Sequence, residues 1–203
     1  MTFDNPRKPD HPASQFFIDR WSPRAFTGET MPDADLHRIF EAARWAPSSY
    51  NSQPWRFLYA KRESADFQRF LGLLNERNQS WAKQASVLMI LVSKKTMRPP
   101  GANADVPTRS HSLDAGAAWG YLALEASILG WPAHAMVGFD TERARNELNI
   151  PDDCHVEAAI ALGRRGEKAS LPEAMQAVEQ PNARKPITEI AFAGDFPRGG
   201  KPG

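Results

Sequence analysis

Leu36, Ile39, Phe40 and Ala43 recur at i, i+3, i+4 and i+7, which puts them on one face of a helix. Thr30 is placed to cap it, Pro32 falls in its first turn, and Asp33 and Asp35 suit the positive end of the dipole. Pro47 stops it. Upstream, residues 14–20 predict a short helix that buries Phe16, Phe17 and Trp21. Downstream, 55–60 reads as a strand and 65–74 as a helix. Residues 87–92 form a continuous apolar run of strand length, so that strand is expected to be buried on both faces. The stretch 94–110, with Pro99-Pro100-Gly101 and Pro107, predicts a long functional or mobile loop. Residues 112–129 are apolar nearly all round, which predicts a helix enclosed by protein and ended by Gly130-Trp131-Pro132. Strands are expected at 133–139 and 156–162, with a short helix at 141–148 between them. Beyond Gly163 the pattern fades; 166–203 cannot build a core alone and is expected to lie on something else, with 187–192 a possible fifth strand. Alternating strands and helices indicate an α/β or α+β class with one layered sheet. No internal repeats occur.

Composition narrows the function. The chain has 203 residues, 41% hydrophobic and 24% charged, which suits one globular domain. A net charge of +1 argues against a nucleic-acid partner. The most apolar segment, 115–131, is interrupted by Glu125 and diluted by glycine, so a core helix is expected and no membrane partner. Residues 1–13 hold three prolines and mixed charge and read as a flexible arm with no secretory signal. A cytoplasmic, reducing setting is the expectation, since Cys154 is the one cysteine and disulfides within the chain are impossible. Cys154 itself reads as an inert thiol.

The familiar catalytic motifs are missing. No dinucleotide fingerprint, phosphate-binding P-loop or nucleophile elbow occurs. The five histidines are scattered without helical zinc spacing, and no carboxylate pair stands out. No metal site and no catalytic side chain are predicted, so the reactive group of an enzyme built from this chain would be a cofactor. Two stretches could hold one. Arg20-x-Ser22-x-Arg24 sets two cations and a hydroxyl within five residues, fit for a phosphate or merely a surface pair. Pro47-Ser48-Ser49-Tyr50-Asn51-Ser52-Gln53-Pro54 offers amides that both donate and accept, as the edge of a heterocycle requires, or is simply a helix-stop turn.

These stretches, with Ala42-Ala43-Arg44-Trp45-Ala46 before the loop and Trp55-Arg56-Phe57 after it, resemble the FMN-dependent nitroreductase family. The resemblance extends through Asn78-Gln79-Ser80-Trp81, His111-Ser112-Leu113-Asp114, Gly138-Phe139-Asp140, Ala161-Leu162-Gly163 and Arg184-Lys185-Pro186. It implies an α+β fold with a central mixed sheet flanked by helices. It also implies an intertwined homodimer, with 14–192 as one FMN-binding domain, 166–192 wrapping the partner subunit and 193–203 a tail. By resemblance Arg20 and Ser22, beside Trp21, would bind the FMN phosphate with help from Arg184 or Lys185. Arg24 would face the N1/C2=O edge and stabilise the anionic reduced flavin. Asn78 would bond the ring's polar edge. Pro47, Ser48, Ser49, Asn51 and, more weakly, Gln53 would arrive from the partner subunit. Met136, Val137 and Gly138 would run along the other side of the ring. The implied activity is hydride transfer from NADH or NADPH through flavin N5 to a nitroaromatic, quinone or similar small acceptor by a ping-pong mechanism, with the 94–110 loop bearing on acceptor choice. A dehalogenase-like relative and a flavin store or sensor without turnover stay open alongside it.

Overall fold

A computed structural model describes residues 5–197. The expectations for 1–4 and 198–203 lie outside the described residues. Among the described residues seven α-helices and six strands follow one another as α1 (Gln15–Asp19), α2 (Asp33–Arg44), β1 (Trp55–Lys61), α3 (Phe67–Leu73), α4 (Glu76–Ala82), β2 (Val87–Lys94), β3 (Thr96–Met97), β4 (Val106–Pro107), α5 (His111–Ile128), β5 (Ala133–Met136), α6 (Thr141–Glu147), β6 (Cys154–Leu162) and α7 (Glu173–Gln176). The main sheet has the order β1-β2-β6-β5. Its class is α+β. Every pairing within the chain is antiparallel, so the parallel component of a mixed sheet is not among the described strands.

The sheet is covered on both faces, as the unbroken apolar run of β2 requires. Leu88, Ile90 and Val92 face one core with Phe67, Phe70, Leu73 and Trp81 from α3 and α4. Val87, Met89 and Leu91 face the other, closed by Leu36, Ile39 and Ala43 of α2 and Ala115, Ala118, Leu122 and Ala126 of α5. A register shift opposite Leu91/Val92 inserts Glu157 as an extra residue in β6. It switches that strand's parity, so Val156 and then Ala159 and Ala161 face the same core.

Several boundaries and one burial expectation are corrected. The cap of α2 is Pro32, with no side-chain bond, and the helix starts at Asp33. Phe16 and Phe17 are exposed because α1 is a single short turn of helix with no buried residue; only Trp21 is buried. The helix α4 lacked a periodic signal, since Trp81 and Ala82 are its only buried residues. The 94–110 stretch folds into the β3/β4 hairpin, tied by Lys94 and Arg98 to Asp105 at 3.0 and 2.8 Å. Residues 187–192 form no strand; Ile187–Glu189 is one 3-10 turn, and Ile187, Ile190 and Phe192 stay exposed because no edge of the chain's own sheet reaches them. The N-terminal segment is tied down where it is described. Arg7 Nη1 donates to Ile18 O and Arg20 O at 2.8 Å each, and Arg7 Nε donates to Asn182 O at 2.8 Å. Cys154 is buried in β6, and burial raises its thiol pKa, which disfavours the reactive thiolate.

Candidate functional site

The site starts where α1 gives out. Arg20 caps that helix with extended backbone angles, and the chain then runs alongside residues 164–166. Thr27 N–H donates to Arg164 O at 3.0 Å and Gly166 N–H to Ala25 O at 2.8 Å. A Cβ on Gly166 would lie 3.0 Å from the Phe26 carbonyl group, so this close approach favours glycine. Extended backbone turns every second side chain to one side, which makes Arg20, Ser22 and Arg24 a single array. With Arg7, Trp21, His134, Asn182 and Arg184 they line a cavity of about 440 Å³.

The cavity is strongly cationic. The Arg20 guanidinium is held below its ordinary pKa by burial and by Arg184; Arg7 is lowered by burial and then by Arg184 and Arg20. Like charges crowded this way favour the entry of an anion. Arg20 Nη1 donates to Ser22 Oγ at 3.3 Å, which orients both toward the same space. Burial, and then the charge on Arg24, push His134 down to about 4. It is therefore neutral near pH 7 and adds no further charge. Its Nδ1 is 3.0 Å from Pro23 O, a contact that requires the proton on Nδ1.

A second cavity, of about 490 Å³, shares Arg20 and Ser22 with the first. Its other walls are apolar or small: Phe17, Trp119, Gly120, Ala123, Leu124 and Ala135. A cationic space thus opens beside one whose walls are mostly apolar or small side chains. Lys185 lines neither; it lies 3.4 Å from Glu189 and borders a separate space between the N-terminal segment and the tail.

The Pro47–Pro54 loop is held apart from this array. A 3-10 turn at Ser49–Asn51 carries positive φ at Tyr50 (51°) and Asn51 (53°), followed by Gln53 (47°). Asn tolerates this region; Tyr and Gln do so at a cost. Buried Asp114, in the first turn of α5, accepts from Ser49 N–H at 3.2 Å and Ser110 Oγ at 3.0 Å. Ser48 Oγ accepts from Gln53 N–H at 3.0 Å, and Gln53 Nε2 donates back to Asn51 O at 3.1 Å. Pro47, Ser48, Ser49, Asn51 and Gln53 line neither cavity of the same chain. Asp114 and Ala123 are separated by nine residues of α5, roughly 14 Å along the axis.

The remaining predicted residues follow β5. The Met136 side chain is buried in the core beside Ala159, so only its backbone is available. Val137 is 86% exposed. Gly138 O accepts from Asn75 N–H at 3.1 Å and Asn78 Nδ2 at 3.0 Å, so the Asn78 amide is already spent in part on shaping this turn. A Cβ on Gly138 would lie 2.4 Å from Asn75 Nδ2 and 2.7 Å from Asn78 Nδ2.

Residues that sequence reasoning passed over do much of the positioning. Arg7, His134, Asp114, Asn75 and Glu179 all touch the array or its loops. Asp114 stood within a quoted motif; the others carry no local signal, because their partners lie far along the chain. His111 and His155, scattered in sequence, meet with rings 5.9 Å apart, yet no group of three or more metal-ligating side chains occurs among the described residues.

Comparison with known proteins places the chain. The Nitroreductase family profile matches residues 18–77. An uncharacterised 15.4 kDa protein of Mycolicibacterium smegmatis is 33% identical over 148 residues, 68% of this chain and 95% of that protein. An oxygen-insensitive NADPH nitroreductase of Helicobacter acinonychis is 27% identical over 70% of this chain and 81% of its own length. Among solved structures, an oxidoreductase containing FMN superposes with a TM-score of 0.91 at 45% identity, covering 97% of this chain and 99% of its own. With its profile match falling on the Arg20–Arg24 array and the Pro47–Pro54 loop, and a solved relative superposing along almost its whole length, the chain belongs to the nitroreductase family.

Proposed function

We propose that this protein is an FMN-dependent oxidoreductase that accepts hydride from NADH or NADPH and passes it to a small conjugated acceptor, such as a nitroaromatic or quinone. The observation that carries this reading is the paired space at Arg20 and Ser22: a cavity crowded with guanidinium groups opening beside an apolar one. That donor set fits a ligand with a phosphate at one end and a flat ring system at the other. The solved relative containing FMN supports the assignment.

Arg20, Ser22 and Arg184 would hold the phosphate, with Arg7 positioning the cluster from its three carbonyl bonds. Arg24 would set its charge toward the ring, and the backbone at Val137 and Gly138 would present N–H groups from a turn fixed by Asn75 and Asn78. FMN supplies the hydride-accepting and hydride-donating centre; the chain supplies binding, orientation and a shaped cavity. His134, neutral and locked on Pro23 O, holds the backbone of the array without offering a proton near pH 7.

The active form in this reading is a homodimer. Leu113, Tyr121 and Ile128 on the outer face of α5 are exposed by 77%, 43% and 55%, a large apolar burden for an unpartnered helix. The tail's Ile187, Ile190 and Phe192 are exposed too, and β1 is an edge strand. Docking two such chains would cover these groups and let each Pro47–Pro54 loop serve the other chain's site.

Absorption spectroscopy tests the reading. Purified protein supplied with FMN should show a bound flavin spectrum that NADH or NADPH bleaches anaerobically and menadione or a nitrofuran restores. A bound flavin that neither nicotinamide bleaches would point instead to a store or sensor.

A further inference from the structure

The carboxylate of Glu179 sits directly behind Arg24. Its side chain is only 3% exposed. Oε1 accepts two backbone bonds, from Arg24 N–H at 2.7 Å and Ala25 N–H at 2.9 Å. Oε2 is buried, has no hydrogen-bond partner, and lies 3.8 Å from Arg24 Nη1. One oxygen therefore clamps the backbone of the array, while the other, without a hydrogen bond, faces the Arg24 guanidinium. A buried carboxylate oxygen without a hydrogen bond is costly, and such groups persist where they serve a purpose.

Glu179 pairs with Arg24 at 3.8 Å, on the side of a neighbouring cavity that Arg165 and Lys168 also line. Arg20 and Arg184 across Arg24's own cavity are cations, and His134 is neutral near pH 7. Through space, a carboxylate 3.8 Å from a guanidinium cancels much of the field that the guanidinium projects beyond it. Glu179 belongs to the loop after α7, so the C-terminal third of the chain controls a charge carried by the N-terminal fifth.

We infer that Glu179 is a positioning residue that sets the reduction potential of the bound flavin by partly neutralising Arg24. The inference rests on the FMN reading above. Reduction places negative charge on the flavin, which a bare Arg24 would favour and a compensated Arg24 favours less. Glu179 thereby holds the potential down, keeping the reduced form a stronger hydride donor to its acceptor.

The test is a potentiometric titration of the FMN-loaded protein against a reference dye. Glu179→Gln keeps an oxygen for the two backbone N–H groups and removes the charge. The expected result is a rise in potential equal to about a tenfold change in the reduced-to-oxidised ratio, roughly 30 mV for a two-electron couple. In an Arg24→Gln background the same change should move the potential by less than half as much. An unmoved potential in Glu179→Gln, or an equal shift in both backgrounds, overturns the inference. Should Glu179→Gln fail to fold, Glu179→Asp decides: the retained charge should leave the potential in place while the shortened clamp weakens FMN binding several-fold, and a shifted potential with unchanged binding overturns it. Wild-type protein that takes up no FMN would instead overturn the proposed function itself.

Discussion

Removing the Asp114 carboxylate should release the strained loop that α5 holds. Tyr50 and Gln53 occupy left-handed backbone at a cost of order 1–3 kcal/mol each. Against this stand the Ser49 N–H bond to the buried Asp114, of a kind that contributes about 1.5–3 kcal/mol, and the Gln53 N–H bond to Ser48 Oγ; the Ser110 Oγ bond fixes Asp114 itself. The strain is comparable with these bonds, so loss of the Asp114 acceptor should loosen the loop. Asp114→Ala leaves Ser49 N–H without its acceptor and Ser110 Oγ with Thr108 Oγ1 alone, and is expected to destabilise the fold by about 3 kcal/mol. For a chain of this size that lowers Tm by roughly 6–12 °C. Asp114→Asn keeps one accepting oxygen and should cost about 1 kcal/mol, or roughly 2–4 °C. Thermal unfolding at fixed protein concentration measures both values, and hydrogen exchange at the Ser49, Asn51 and Gln53 amides shows whether the loss is local. A Tm within 2 °C of wild type (about 0.5–1 kcal/mol) in Asp114→Ala, with exchange in the loop unchanged, would refute the reasoning.

Four further outcomes follow from the geometry. His134 is depressed to about 4 from an ordinary 6.5, so the unfolded chain binds its proton first; its contribution is complete above about pH 6.5 and is lost as pH falls toward 4. His134→Asn should flatten the stability–pH curve in that window, read by urea unfolding at each pH. Gly138→Ala forces a methyl group against Asn75 and Asn78 and should cost about 1–3 kcal/mol, with weaker FMN uptake seen by flavin fluorescence. Leu113→Glu with Ile128→Glu, both at exposed positions, should give a folded monomer by light scattering with native far-UV circular dichroism; an unchanged dimer would remove α5 from the interface. Arg184→Gln should loosen FMN binding about tenfold, the equivalent of one charge-assisted bond, measured by fluorescence quenching.

The sequence by itself determined the elements whose signal is local. The face of α2 was legible because side-chain period and burial are the same fact seen twice, and β2 and α5 because an unbroken apolar surface has to be covered. The Arg20–Arg24 array and the Pro47–Pro54 loop were legible as motifs, since their spacing along the chain carries their geometry. Only the tertiary structure decided what braces them. Glu179 reaches Arg24 across 155 positions, His134 reaches Pro23 across 111, and Asp114 reaches Ser49 across 65. Asp114 apart, which stood in a motif, nothing in the residues flanking these partners marks them, because a single buried hydrogen bond leaves no period. The exposure of Phe16 and Phe17 and the missing fifth strand at 187–192 have the same origin. Burial of a short apolar segment depends on whether a surface elsewhere in the fold is free to receive it, and that is a property of the packed chain.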